Sequence, residues 1–320
     1  MIDVTAIGEL LIDFTCKSID SAGYPTMSAN AGGAPANFLG ALNASGCKTA
    51  FLGKVGKDTF GKLLFNTLKD LGIETKGILM DSNFFTTLAF VTIDKTGNRD
   101  FSFARKHSAD IMLKFDELNL SLIDNCKDFH FGSLSLTDEP ARSTTQKAVE
   151  YAKKQHKLIS FDPNLRKPLW NDLEQAKKYI TWGFSKSDIV KISDDEIEFL
   201  WQCSKEQAAK KLHDDFGVKV VFITLGDKGC YYSANGMNGI VSIPKGITPV
   251  DTTGAGDIFG GSALAQLLKL NKPIDKISND DLYNITEFAC CAASLSTEHY
   301  GGIASIQNED IVINYINNLK

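Results

Sequence analysis

Long apolar runs are missing from this sequence of 320 residues. No stretch approaches the roughly 20 apolar residues that a bilayer-spanning helix needs, so no membrane span is expected. The N-terminal 14 residues are apolar but carry Asp3, Glu9 and Asp13. They lack the basic start and small-residue cleavage site of a secretory signal. Charge of one sign does not cluster either. The formal net charge is -5, which leaves no basic field for a nucleic-acid backbone. The seven cysteines (Cys16, Cys47, Cys126, Cys203, Cys230, Cys290 and Cys291) are odd in number and form no CxxC pair. That pattern argues against a disulfide framework or a zinc site and fits reduced thiols in the cytoplasm. None of the five histidines has a metal-spaced partner. A GxxxxGK[ST] phosphate loop is absent, and Gly8 after the first strand is not part of a GxGxxG fingerprint.

What is present is an ordinary globular balance, 43% hydrophobic and 23% charged, enough for a normal core. Short apolar runs at 4–8, 49–55, 129–132, 158–162, 189–192 and 220–225 read as core strands. Amphipathic helical patterns lie between them: Phe60, Leu63, Leu64, Leu68 and Leu71 before Gly72, then 139–156 and 204–216. This alternation predicts βαβ units in one α/β domain over 1–320. Two pieces depart from it. Segment 11–27 reads as extended and irregular, and the runs 87–93 and 100–105 flank Asp94-Lys-Thr-Gly-Asn98 as a β-hairpin. We read residues 11–30 and 86–106 as a small β lid over a doubly wound sheet. In such sheets ligands sit beyond the carboxyl ends of the strands.

The most informative stretch is Asp251-Thr-Thr-Gly-Ala-Gly-Asp257, running into an apolar helix at 258–270. Gly254 and Gly256 let the backbone turn sharply and approach a ligand. Amides at a helix start, together with its dipole, attract an anion. A carboxylate at Asp257 would repel a phosphate, yet it suits a base that takes a proton from an attacking hydroxyl. A glycine turn with Asp257 as a plain N-cap is the other reading of the same residues.

Asp251-Thr-Thr-Gly-Ala-Gly-Asp257 resembles the C-terminal signature of ribokinase-like (PfkB-type) carbohydrate kinases, and Ala31-Gly-Gly-Ala-Pro-Ala-Asn37 resembles their N-terminal one. The two stand in the expected order, and segments between them match as well. The resemblance implies a three-layer α/β/α doubly wound sheet with a β lid, and ATP with Mg2+ as cosubstrate. It implies Asp257 as the catalytic base, with the amides of Gly254, Ala255 and Gly256 holding the transferred phosphoryl group. It implies sugar contacts from Asp13, Gly32, Gly33, Asn37 and the lid residue Arg105, and Arg166 as a ligand for substrate or phosphate. On the nucleotide side it implies Lys191, Thr224, Gly226 and Gly229, and Glu196 acting on Mg2+ through water. Ser193 stands where the family has Asn. The run at 194–198 also fits an ordinary acidic helix start, and Gly226 to Gly229 a plain hairpin turn. In some members a monovalent cation such as K+ binds at positions matching Asp251, Thr253, Gly301 and Ser305.

Within the family, Phe103-Ala-Arg-Lys-His-Ser-Ala-Asp110, Gly132-Ser-Leu-Ser-Leu-Thr-Asp-Glu-Pro140 and Phe161-Asp-Pro-Asn-Leu-Arg166 resemble fructokinases. The resemblance thus implies D-fructose as acceptor, giving fructose 6-phosphate. Lys106 and His107 depart from the Arg-Asn-Pro-Ser often found in fructokinases. The 2-keto-3-deoxygluconate and aminoimidazole riboside kinases remain alternatives. A non-catalytic sugar-binding regulator would not need Asp257. A homodimer is implied by analogy alone. His130 in Phe129-His-Phe131 and the aromatics Phe84, Phe85, Phe90, Phe101 and Phe103 read as packing residues.

Overall fold

The computed structural model describes residues 1–93 and 99–319. β1 (Val4–Ile7) leads through β2 (Leu11–Ile19) and β3 (Pro25–Gly32) into α1 (Ala34–Ala44). β4 (Thr49–Gly56), α2 (Thr59–Asp70), β5 (Glu74–Asp81), β6 (Leu88–Ile93) and β7 (Arg99–Ala104) follow. The chain then alternates through α3 (Ser121–Asp124), β8 (Asp128–Gly132), α4 (Ala141–Lys154), β9 (Leu158–Asp162), α5 (Leu173–Lys186) and β10 (Ile189–Ser193). Next come α6 (Asp194–Trp201), α7 (Lys205–Phe216) and β11 (Val220–Thr224). A hairpin, β12 (Cys230–Ala234) and β13 (Met237–Val241), precedes α8 (Ala255–Lys269), α9 (Asn279–Ser296) and α10 (Glu309–Leu319).

The main sheet has nine strands in the order β13-β12-β11-β10-β9-β8-β1-β4-β5. From β11 to β5 all neighbours run parallel; only β12 and β13 are antiparallel. Parallel strands covered on both faces are buried along their whole length and mostly apolar, as β1 and β4 are. One face packs Phe38, Phe51 and Leu264; the other packs Phe129, Phe131, Phe161 and Phe184. Strand order reverses beside β1, so β1 and β8 frame the crevice where a ligand belongs. On the first face, α1 and α8 come unusually close. A Cβ on Gly261 would lie 2.2 Å from the carbonyl oxygen of Phe38. That approach sets Asn37 of α1 against Asp257 of α8.

The second sheet, β3-β2-β6-β7, is the expected lid. Segment 11–27 proves regular rather than irregular: β2 and β3 pair antiparallel with one bulge between Cys16 and Ser18. β2 and β6 pair parallel, so two separate crossovers build one lid. The ring of Phe14 stacks on Phe90 at 5.4 Å and meets Phe60 of α2 edge-on at 5.6 Å, which ties the lid to the body. The turn expected at 94–98 lies outside the described residues. β5, β12 and β13 were not expected. β5 and β13 are edge strands whose partial exposure hides the apolar signal, and β12 is the buried strand between β13 and β11. α4 is shorter at both ends than its pattern, and α8 begins before its apolar run. Among the described residues no helix is long and apolar enough to cross a membrane.

Candidate active site

α8 starts at the carboxyl end of the sheet, and Gly254 is its N-cap with φ 78. A left-handed backbone of this kind costs an L-residue about 1–2 kcal/mol. A Cβ there would also lie 2.9 Å from the Cα of Gly302 and 3.0 Å from Asn37 Nδ2. The loop before it is clipped by Asp251. That carboxylate accepts from the amide and hydroxyl of Thr253 at 2.9 and 2.7 Å and from the Gly301 amide at 2.9 Å. The Ala255 amide donates to Thr252 O at 3.3 Å, closing the turn. Amides of a first helical turn have no partner within the helix and carry its positive dipole end.

Asp257 sits in that first turn and is 7% exposed. It does not cap the helix. Its Oδ2 accepts from Asn37 Nδ2 at 2.8 Å, and its Oδ1 from Asn164 Nδ2 at 2.7 Å. Burial raises its pKa above the ordinary carboxylate range, against the pull of Asn37, Arg166, Lys191 and Asn164. Lys191 donates to Asp162 Oδ2 at 3.1 Å. Burial works against its charge, but Asp162, Glu196 and Asp257 outweigh burial and hold the ammonium above its usual pKa. A Cβ on Gly256 would lie 3.0 Å from Lys191 Nζ, so that cation flanks the helix start.

On the lid side, Asp13 is half-buried on β2. Burial pushes its carboxyl up to about 7, opposed by Arg166 and reinforced by Asp257 and Asp251. These groups therefore share one electrostatic neighbourhood. A Cβ on Gly32 would fall 2.1 Å from Asp13 Oδ2, so this glycine leaves the carboxylate its place. Gly33 is the N-cap of α1. Asn37 is buried, and its Oδ1 has no hydrogen-bond partner. Glu9, absent from the expected set, accepts from the Ala34 amide at 2.9 Å, and burial pushes its pKa to about 7.

Arg105 follows β7, but its guanidinium points inward. It donates to Asp110 Oδ2 at 2.8 Å, Thr137 Oγ1 at 2.8 Å and Leu134 O at 3.0 Å. Asp110 also accepts from Thr87 and Ser108. This cluster is a buried latch at the base of the lid. Arg105→Ala is expected to lower unfolding free energy by about 3 kcal/mol, because it strands the Asp110 charge without a cation. Urea denaturation reads this; a loss under about 1 kcal/mol would refute the latch.

On the other side, Glu196 links two loops. Its Oε1 accepts from the Leu165 amide at 2.7 Å, and its Oε2 from the Ser193 amide and hydroxyl at 2.8 and 2.9 Å. Ser193, where the family has Asn, is thus the N-cap of a capping box that starts α6. Glu196 also steers the loop that carries Arg166. The Arg166 Nη1 donates to Leu165 O at 3.4 Å. Thr224 ends β11, and Gly226 and Gly229 form the tight turn into β12, so the plain hairpin reading holds for their backbone. Ser305 donates to Gly302 O at 2.8 Å beside the clipped loop. His130 is interior, with Nδ1 3.0 Å from Ser160 Oγ. Among the described residues, no group of three His, Cys, Asp or Glu is placed to hold a metal ion.

The arrangement is a buried carboxylate in the first turn of α8, with Lys191 flanking the helix start and Arg166 acting on the same carboxylate. The profile of the pfkB family carbohydrate kinases matches residues 1–309. The chain belongs to this family and is a carbohydrate kinase. It is 39% identical over 314 residues to "Probable fructokinase-4" of Arabidopsis thaliana, covering 97% of this chain and 95% of that protein. Fructokinase from Vibrio cholerae O395, solved with fructose, ADP and a calcium ion, superposes with a TM-score of 0.86. It is 28% identical and covers 98% of this chain and 99% of that one. A putative ribokinase II from E. coli, solved with ATP and Mg2+, superposes at 0.88 with 26% identity, covering 99% of this chain and all (100%) of that chain.

Proposed function

We propose that this chain is an ATP-dependent fructokinase that converts D-fructose to fructose 6-phosphate. The observation that carries the chemistry is the Asp257 carboxylate, held by two amides next to the first turn of α8. The fructokinase relatives and the structural neighbour with fructose and ADP support the choice of sugar. In the reaction, Asp257 takes the proton of the acceptor hydroxyl. The sugar oxygen bonds to the γ-phosphorus while the bond to the β–γ bridging oxygen breaks and ADP leaves. The amides of Gly254 and Gly256, and that of Ala255 on exchanging Thr252 O for the phosphoryl oxygen, stabilise charge on the moving phosphoryl group. Asp13, with Gly32, Gly33 and Asn37, receives the sugar beneath the lid of residues 11–30 and 86–106, and Arg105 fixes that lid from below. Arg166 and Lys191 face the phosphates, and Thr224, Gly226 and Gly229 border the nucleotide.

Both Glu196 oxygens already have protein donors, so its remaining lone pairs fit a water of hydrated Mg2+ rather than the ion itself. Bound there, Mg2+ draws charge from the phosphate oxygens. Asp251, Thr253, Gly301 and Ser305 gather behind the anion site where K+ would order the loop. The free thiols agree with a cytoplasmic setting. Exposed Ile19 and Tyr24 at the tip of the lid hairpin offer contact to a second copy in a homodimer.

The test is ADP release with Mg-ATP and fructose, 2-keto-3-deoxygluconate, ribose or aminoimidazole riboside. Fructose is expected to exceed each of the others in kcat/KM by at least about tenfold. A higher value for any other acceptor would move the assignment to that sugar.

A further inference from the structure

Asn164 lies outside every motif role considered so far, yet it makes the shortest contact to the base, 2.7 Å from Asp257 Oδ1. Its surroundings fix it from three sides. Its own amide donates to Asp162 Oδ1 at 3.0 Å. The next amide, Leu165, donates to Glu196 Oε1 at 2.7 Å. The carbonyl before it, Pro163 O, accepts from the Ser133 amide at 3.2 Å. The backbone of Asn164 is left-handed, with φ 42, and the residue is only 7% exposed. Asn, Asp and Gly adopt that conformation with little strain. Three elements thus cooperate to aim one side-chain amide.

We propose that Asn164 is a positioning residue for phosphoryl transfer: with Asn37 it holds the Asp257 carboxylate in a single plane and leaves a lone pair directed at the acceptor hydroxyl. The inference rests on Asp257 being the base. Each oxygen of that carboxylate takes one N–H from one amide. The two donors come from α1 and from the loop after β9, so the carboxylate of α8 is held between two separate elements. An amide NH2 group only donates, which favours the ionised carboxylate. Around Asp257 the other charged groups are Arg166 and Lys191, which favour ionisation, and Asp13 and Asp162, which oppose it.

The test compares Asn164→Gly with Asn164→Asp. Both keep the left-handed backbone; Gly removes the side chain, and Asp replaces the donor with an acid. If Asn164 served only the turn, both would work. Positioning predicts that kcat falls about 10- to 100-fold in each, with KM for fructose and for ATP within about threefold of the wild type. The acid limb of the kcat/KM profile should move up by about one pH unit in Asn164→Gly, because a donor to the ionised form is lost. It should move further in Asn164→Asp, where a second carboxylate faces the first. A second measurement needs no sugar. The Asp257 carboxyl carbon, assigned in NMR spectra by its loss in Asp257→Asn, should titrate higher in both variants of the ligand-free protein. An unmoved titration overturns the proposal, whichever sugar the wild type accepts. A wild type inactive on fructose whose variants still show the shift overturns only the choice of substrate.

Discussion

Replacing Asp257 with Asn is expected to cut turnover by at least about 100-fold, with sugar affinity within a few fold of the wild type. The reason is local. Asn cannot accept the hydroxyl proton, yet it fills the same volume. It also presents one donor and one acceptor to two amides that both donate, so one of those contacts fails. The wild type should show a matching signature. Burial raises the Asp257 pKa, so its base function is lost as pH falls through that raised value. The acid limb should therefore lie above the ordinary Asp value of about 4. Initial rates from pH 4 to 9 and calorimetric titration of sugar check both points. Turnover of Asp257→Asn within tenfold of the wild type would remove the carboxylate from the chemistry.

Gly254→Ala should be nearly as damaging, with turnover down about 100-fold and unfolding free energy down by about 2 kcal/mol. The added methyl meets backbone at Gly302 and the amide of Asn37, neither of which can retreat without disturbing Asp257. A control separates crowding from backbone strain. Gly236, in the turn between β12 and β13, has a similar φ of 76, but nothing lies within 4 Å of its would-be Cβ. Gly236→Ala should cost about 1 kcal/mol and leave turnover unchanged. Equal turnover losses in the two variants would show that distant stability, not the anion site, is being measured.

Part of this arrangement is legible in the sequence. Gly254, Gly256 and Asp257 announce a helix start with a carboxylate where phosphate is expected, a local pattern with a physical meaning. Asn37 and Asp13 came from family likeness, and the fold then brought them to the same crevice. What stayed hidden depends on contacts between distant segments. Asn164 lies 93 positions from Asp257 in the chain, and nothing in Asp-Pro-Asn-Leu-Arg tells which side chain faces that carboxylate. Arg105 was expected at the end of a lid strand, and it is there. Its inward turn is set by Asp110 and Thr137, which only tertiary packing could reveal. Ser193 and Glu196 could have been recognised as a capping box from their spacing alone. β5 and β13 escaped because half-exposed edge strands carry a polar pattern.

The close seating of α1 on α8 has a practical corollary for anyone engineering heat tolerance. Glycine inside a helix is an obvious target, since alanine is better there by about 1 kcal/mol. At Gly261 that routine exchange would drive a methyl into the main chain at Phe38, one residue from Asn37. The resulting wedge would pry Asp257 away from the side-chain amide of Asn37. Robustness and turnover are bound together at this position, and attempts to harden the enzyme should begin elsewhere.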